Sequence, residues 1–314
     1  MPLVITVLAG GVGAAKFLAG LQRAVDPATV TAIVNVADDF TLHGLAISPD
    51  LDTVMYTLAN AVNPETGWGL AGESWSTMDQ LGKLGGVTWF RLGDKDLATH
   101  LFRTQRRSDG ASLTAITAEL CCAFGVAVRL LPVSNDPLAT MVTLAPDARE
   151  VDFQDYFVRQ QHNVAVSGVR FAGAEHSTPG PGVIDAIVEA GIVVVAPSNP
   201  IVSIGPVLAV PGVRAALQAA RARTVGISPI IGGAALKGPA DRMLRELGHE
   251  VSVVGVARLY RDLVSVLVID EVDRPLADAV RAEGVRCVVA PTIMKDPTTA
   301  TALAHLVLEA SHHV

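Results

Sequence analysis

Seven short apolar runs rich in Val and Ile recur along this chain: Leu3 to Leu8, Val30 to Val36, Val126 to Leu131, Ile192 to Ala196, Thr224 to Ile227, Val264 to Ile269 and Val285 to Ala290. Stretches of helical period separate them, at Ala14 to Arg23, Leu97 to Gln105, Leu113 to Phe124, Val183 to Ala190, Val213 to Ala222, Ala240 to Leu247 and Leu276 to Glu283. A final helix, Thr298 to Leu308, follows the Asp296-Pro297 start signal. A strand that is apolar along its whole length must be covered on both faces. The alternation therefore predicts an α/β fold, a Rossmann-like, mostly parallel sheet flanked by helices. From Thr140 to Phe171 the pattern changes to short alternating segments, TMVTL, VDFQDYF and VAVSGVRF. That change predicts a small inserted α+β subdomain or antiparallel excursion over 140–171, with 1–139 and 172–314 together forming the main α/β domain.

At 314 residues, half of them hydrophobic, the chain can bury a full core without disulfides or structural metal. Its three cysteines, Cys121, Cys122 and Cys287, have no metal-ligand spacing and read as small core residues of a reducing compartment. No apolar run reaches the length of a membrane span, and the start MPLVITVLAGG lacks a basic n-region, so a cytoplasmic protein is expected. A formal charge of −7 argues against a general nucleic-acid surface, and Arg103, Arg106 and Arg107 read as a solvated helix face.

The segment Asn35 to Thr53, NVADDFTLHGLAISPDLDT, places Asp38, Asp39, Asp50 and Asp52 with His43 in one polar loop. The loop follows a buried-strand pattern, so its acids emerge at a strand's C-terminal end, where open α/β sheets bind ligands. Clustered acids repel one another unless a cation joins them. Mg²⁺, which takes one or two carboxylates and completes its shell with phosphate oxygens, suits them. The competing structural role is helix capping, with Ser48 and Asp50 ahead of Leu51, Val54 and Met55.

Three further loops sit at predicted strand ends. LAGGVGAAKFLAGL carries Gly10, Gly11 and Gly13 between a strand and a helix, so that backbone N–H groups can approach phosphate oxygens at the positive helix end. It lacks the G-K-[ST] of a P-loop and places Lys16 where a dinucleotide fingerprint has Gly or Ala, and a tight turn alone would also use these glycines. APSNPIVSIGPVL offers Ser198, Asn199 and Ser203, and ISPIIGGAALKGPADRML offers Ser228, Gly232, Gly233 and Lys237, for a phosphate or purine. In WFRLGDKDLATHLFRT, Arg91, Asp94 and His100 surround a Gly93 turn; Asp94 or Asp96 can equally cap the following helix, and a lone His100 on a helix is ordinarily structural.

Taken together, AGGVGAAKFLAGL, NVADDFTLHGLAISPDLDTVMYTL, RLGDKDLATH, DGASLT, APSNPIVSIGPVL and ISPIIGGAALKGPA resemble the 2-phospho-L-lactate transferase family of deazaflavin coenzyme (factor 420) biosynthesis. The resemblance runs from residue 3 to about residue 305. It implies transfer of a phospholactyl or phosphoenolpyruvyl group from a guanosine diphosphate conjugate to the ribityl hydroxyl of the deazaflavin Fo, releasing GMP with Mg²⁺ present. It matches Asp38 and Asp52 to metal-site and catalytic acids, and Asp52 with Arg91 to Fo-contacting positions, with His43 beside them. Gly10, Gly11, Gly13, Ser198, Asn199 and Ser228 would face the guanosine diphosphate, making the α/β domain nucleotide-binding. Lys95 departs from the resemblance, since many relatives carry Arg there. Partners would be the two small-molecule substrates and a second copy of the chain, in a homodimer.

A metal ligand and a general base are the same residue type, so both roles stay open for Asp38 and Asp52. The three-carbon unit, lactyl, enolpyruvyl or glyceryl, is likewise open. Two other functions share parts of the pattern. A nicotinamide dehydrogenase would use Gly11 to Gly13 on pyrophosphate and Asp38 on the ribose, but leaves Asp52 without a role. A nucleotide-sugar-binding regulatory protein shares the Gly-rich start and the VADD-like strand end, and GMP release separates it from a transferase.

Overall fold

A computed structural model describes residues 3–311. The terminal His312 and His313, which have no constellation in the sequence, lie outside the described residues. Each of the seven apolar runs forms one strand of a single sheet: β1 Ile5–Ala9, β2 Val30–Val34, β3 Arg129–Pro132, β4 Ile192–Val195, β5 Thr224–Ile227, β6 Val266–Ile269 and β7 Arg286–Val289. The strand order is β7-β6-β5-β4-β1-β2-β3, and every pair is parallel. All residues of β1, β2, β4, β5 and β6 are buried, as strands covered by helices on both faces must be.

The chain runs outward from β1 through β2 to β3, then returns to the other side of β1 to lay down β4 and continue to β7. The connections leaving β1 and β4 therefore diverge, and a crevice opens between their C-terminal ends. Such a reversal point is where open α/β sheets take ligands. Three helices matter for it: α1 Gly11–Ala24 follows β1, α2 Pro49–Leu58 follows the acid loop, and α3 Asp94–Ser108 is joined to α2 through side chains. A fourth helix, α4 Pro297–Ser311, packs on α1 so closely that a Cβ at Gly20 would stand 2.3 Å from the Ala300 carbonyl oxygen.

The alternating segments after β3 form a separate antiparallel sheet from Ala139–Leu144, Glu150–Asp152 and Val166–Ala172. VDFQDYF is only partly extended. Asp155–Arg159 winds into a helical turn because Phe153, Tyr156 and Phe157 stand at helical spacing and pack with Val202 and Met243 in a small apolar cluster. The helix Val253–Tyr260 has no counterpart in the sequence reading: VVGVA is apolar on every side, and what makes it a helix is the Ser252 cap, whose Oγ accepts from Val254 N and Gly255 N.

Candidate active site

The crevice is the mouth of a cavity of about 720 Å³, lined by the Gly10–Gly13 loop, the first turn of α2, the Pro197–Asn199 turn after β4 and the Ser228–Lys237 segment after β5. The loops meet at van der Waals limits. A Cβ at Gly13 would stand 2.2 Å from the Pro197 carbonyl oxygen, and one at Gly10 would stand 2.8 Å from Ser203 Cβ and 3.0 Å from Asp50 Oδ2. Gly11, at φ +70°, turns the chain into α1. The Ser198 hydroxyl donates to the Gly10 carbonyl at 2.8 Å, tying the ends of β4 and β1 together. The Gly10–Gly13 segment that opens α1 thus lines the cavity, and a helix N-terminus is a position suited to an anion.

Asn35, completely buried at the end of β2, organises the acids. Its Oδ1 accepts from Ala37 N, and its Nδ2 donates to Asp38 Oδ2 at 3.1 Å and to Asp50 Oδ2 at 3.0 Å. One amide therefore holds two carboxylates together, and Asp38 Oδ1 has no hydrogen-bond partner. Burial pushes Asp38 well above the usual carboxylate range, and the neighbouring Asp50 adds to it. Burial raises Asp50 to about 6, against the hydrogen bonds from Asn35 and Gly11. Asp39, which accepts from Ser48 Oγ at 2.6 Å, is raised by burial to about 8. Capping does not account for Asp50, since the residue before α2 is Ser48, it makes no side-chain cap bond, and the Asp50 carboxylate turns to Asn35. A divalent cation fits this donor set. Two desolvated carboxylates on one amide, one oxygen orphaned, beside a helix N-terminus suited to phosphate, are what a hard ion shared with phosphate oxygens requires.

Asp52, one half-turn further along α2, has different company. Arg103 of α3, 1% exposed and the largest fully buried side chain, pairs through Nη2 with Asp52 Oδ1. Its Nη1 reaches the Ala46 carbonyl at 3.3 Å and His100 Nδ1 at 3.2 Å. His100 Nε2 lies 3.3 Å from Asp96 Oδ2, and Asp96 Oδ1 accepts from the Tyr56 hydroxyl at 2.7 Å. Burial raises the Tyr56 hydroxyl, keeping it a donor. Asp96 is held below its ordinary value despite its burial, by His100 and Tyr56. The sequence reading of Arg103 as part of a solvated face is corrected here: Arg107 is exposed and Arg106 pairs with Glu119 at 2.8 Å, whereas Arg103 turns inward to a carboxylate 51 residues earlier in the chain.

The sequence as a whole matches the family described as 2-phospho-L-lactate transferase CofD over residues 5–302. The chain belongs to that family. It is 43% identical to a phosphoenolpyruvate transferase of Streptomyces griseus over 314 residues, covering 99% of both chains, and 44% identical to one of Kitasatospora aureofaciens. A phosphoenolpyruvate transferase of Mycolicibacterium smegmatis is 39% identical over 97% of this chain and 98% of its own. Among solved structures, protein BH3568 of Bacillus halodurans superposes with a TM-score of 0.63 at 19% identity, covering 98% of this chain, and so shares the fold.

Against this CofD-family framework the residues singled out in the sequence divide into three groups. Asp38, Asp50, Asp52, Gly10, Gly11, Gly13, Ser198, Asn199, Ser228 and Arg91 all line the one cavity. Several are also committed to their own loops: Asn199 Oδ1 caps the turn at Ile201 N, and the Ser228 hydroxyl bonds Ile230 O at 2.9 Å. His43 does not reach the cavity. With φ 53° and Gly44 at φ 77° it forms the exposed two-residue turn between the strands Phe40–Leu42 and Leu45–Ile47, a type I′ arrangement. Asp94 caps, but not its own helix: it accepts from Ser76 N, Thr77 N and Ser74 Oγ, which hold it at about 2 and start the helix Ser76–Lys83. Lys95 Nζ binds the Ala71 carbonyl at 2.9 Å and fastens the neighbouring loop. The sequence reading omitted the aromatic wall, Trp68, Trp89, Phe90, Phe153 and Phe157. Its signal was available, because the chain has three Trp residues and all fall between positions 68 and 89.

Proposed function

We propose that this CofD-family transferase moves a phosphoenolpyruvyl group from a guanosine diphosphate conjugate to the ribityl hydroxyl of the deazaflavin Fo in factor 420 biosynthesis, releasing GMP. The phosphoenolpyruvate transferase names of relatives 39–44% identical to this chain favour enolpyruvyl over lactyl or glyceryl. One observation carries the reading: a single cavity joins a glycine-rich helix start, an uncompensated pair of acids and an aromatic wall. Those three features answer the donor's diphosphate, the cation that accompanies it and a planar acceptor.

Asp38 and Asp50 would hold the Mg²⁺ in this reading, Asp50 taking the place of the Asp52 that the resemblance implies, because Asp52 already has Arg103. When bound, the ion supplies neutralisation of the diphosphate charge. The amides of Val12 and Gly13 orient the diphosphate at the start of α1, the Gly11 amide being given to Asp50. Trp89 and Phe90, with ring centroids 5.8 Å apart, offer the deazaflavin an aromatic surface, and Arg91, set over Trp75 at 4.6 Å, stands at its edge. Asp52 takes the hydroxyl proton as the ribityl oxygen bonds to the distal phosphorus, and the bond from that phosphorus to the GMP oxygen breaks with its electron pair on GMP. The cytoplasmic location and the homodimer implied by the resemblance belong to the same reading.

The test is incubation of the purified chain with Fo, Mg²⁺ and each of the lactyl, enolpyruvyl and glyceryl conjugates, following GMP and product mass. Product from the enolpyruvyl donor is expected. Absence of GMP with every donor overturns the reading.

A further inference from the structure

We infer that Arg103 is a positioning residue for the transfer, anchoring one carboxylate oxygen of Asp52, a residue of the cavity wall, and leaving the other without a hydrogen-bond partner. The inference rests on the transferase reading above. Arg103 comes from α3 and has 2% of its side chain exposed, within the range of the apolar core. A guanidinium is removed from water only against fixed acceptors, and three converge on it: Asp52 Oδ1, the Ala46 carbonyl and His100 Nδ1. One arm of the guanidinium, Nη2, therefore anchors Asp52 at Oδ1 while Nη1 is tied elsewhere, and the buried Asp52 Oδ2, 3.7 Å from His100 Nδ1, is left with no hydrogen-bond partner on a residue that lines the cavity. An oxygen left free in this way by a rigid cation is an acceptor set in advance for a hydroxyl.

His100 and Asp96 complete the device rather than forming a metal centre. Ligand atoms of Asp52, Asp96 and His100 lie within 4.8 Å of one another, close enough for a cation. The guanidinium can only donate, however, so His100 Nδ1 must accept from Arg103 Nη1 at 3.2 Å and the ring proton falls on Nε2, 3.3 Å from Asp96 Oδ2. Nδ1 is then engaged by the guanidinium and Nε2 carries the ring proton, so no lone pair remains for an ion. Asp96, fixed in turn by Tyr56 on α2, holds the imidazole that braces Arg103. The network thus closes from α2 to α3 and back to α2.

The test is steady-state kinetics with Fo and the enolpyruvyl donor for wild type, Arg103→Lys, Arg103→Gln, Asp52→Asn and the double variant Arg103→Gln/Asp52→Asn, each with a melting temperature. Arg103→Lys keeps the charge and loses the fork. It is expected to stay folded and to lose kcat on the order of a hundredfold, the scale of a small misplacement of a reacting group, while the donor KM holds. Arg103→Gln is expected to lower kcat in the wild-type background and to add nothing once Asp52 is Asn, a coupling that a merely structural residue does not show. The double variant removes both charges and so keeps the fold even where Arg103→Gln alone does not. Wild-type kcat in Arg103→Lys, or equal losses from Arg103→Gln in both backgrounds, overturns the proposal while leaving the transferase reading intact. A wild-type chain that releases no GMP overturns both.

Discussion

Removing the divalent cation and raising the pH should strain this fold in a direction set by its acids. Asp50 titrates at about 6 in the folded chain against 3.8 for a free carboxylate, mainly through burial. Between those values the folded state binds more protons than the unfolded state, so stability is complete below about pH 4 and falls as pH rises through 6. A shift of that size makes ionised Asp50 cost about 3 kcal/mol. Asp39, raised to about 8, extends the decline toward pH 8, and Asp38 is displaced in the same direction. Carboxylates held low, such as Asp94 at about 2, act in the opposite sense but only below pH 4. With an unfolding entropy of about 2.1 cal/mol/K per residue, each kcal/mol moves the melting temperature of a chain this long by roughly 1.5 °C. About half of the Asp50 cost, roughly 1.4 kcal/mol, is added between pH 5 and pH 8, so Asp50 alone should lower the melting temperature by about 2 °C over this range in a chelator. Magnesium at about a hundred times its Kd should return about 2.7 kcal/mol at pH 8 and much less at pH 5, where protons occupy the same oxygens. Differential scanning calorimetry across this range, with and without Mg²⁺, reads both effects. A melting temperature in chelator that is flat or rises from pH 5 to pH 8 refutes the argument, as does an equal magnesium gain at both ends.

Three further outcomes follow from particular contacts. Gly20→Ala pushes a methyl to 2.3 Å from the Ala300 carbonyl oxygen and should cost about 1–3 kcal/mol, seen as a fall in melting temperature, with the KM for Fo unchanged. Trp89→Ala, which removes part of the aromatic wall, should raise the KM for Fo about tenfold while sparing that of the donor, the scale of one lost aromatic stacking contact. His43→Asn keeps a residue that tolerates φ 53° and should leave both KM values and kcat as in wild type; a marked rise in the KM for Fo would return His43 to the site.

The sheet was the most legible part of the sequence. Buried parallel strands are apolar on both faces, and no other element of this chain produces runs such as IVVV or VLVI. The order of those strands was not legible, because the return from β3 to β4 beside β1 is set by long-range packing, yet that return creates the crevice. Asp38, Asp50 and Asp52 stood out by clustering at a strand end. Asn35 did not, since one buried amide bridging two acids leaves no periodic mark. Arg103 was misread because Arg at i, i+3 and i+4 normally lies on one wet face, and what buries it is a partner 51 residues away. Asp94 followed its expected capping chemistry toward the wrong helix, since a fold can supply a nearer N-terminus than the chain does.

Asp50 and Asp52 offer the sharpest test of how labour is divided in the acid loop. They sit two residues apart in the first turn of α2, yet Asp50 shares Asn35 with Asp38 while Asp52 is neutralised by Arg103. An anion already paired with a buried guanidinium gains less from a second cation than one whose only partners are neutral amides. Asp50→Asn should therefore abolish the magnesium-dependent rise in melting temperature at pH 8 and raise the melting temperature in chelator, because it removes a carboxylate that is costly to ionise. Asp52→Asn should keep the magnesium response and lose kcat by a hundredfold or more, about 3 kcal/mol, while leaving Arg103 without its anion. That orphaned cation predicts a second signature: Asp52→Asn should be destabilised by about 3–5 kcal/mol, and Arg103→Gln in the same chain should recover much of it. If Asp52→Asn instead removes the magnesium response and Asp50→Asn retains it, Asp52 is the ligand, and the free oxygen beside Arg103 serves the ion rather than the hydroxyl.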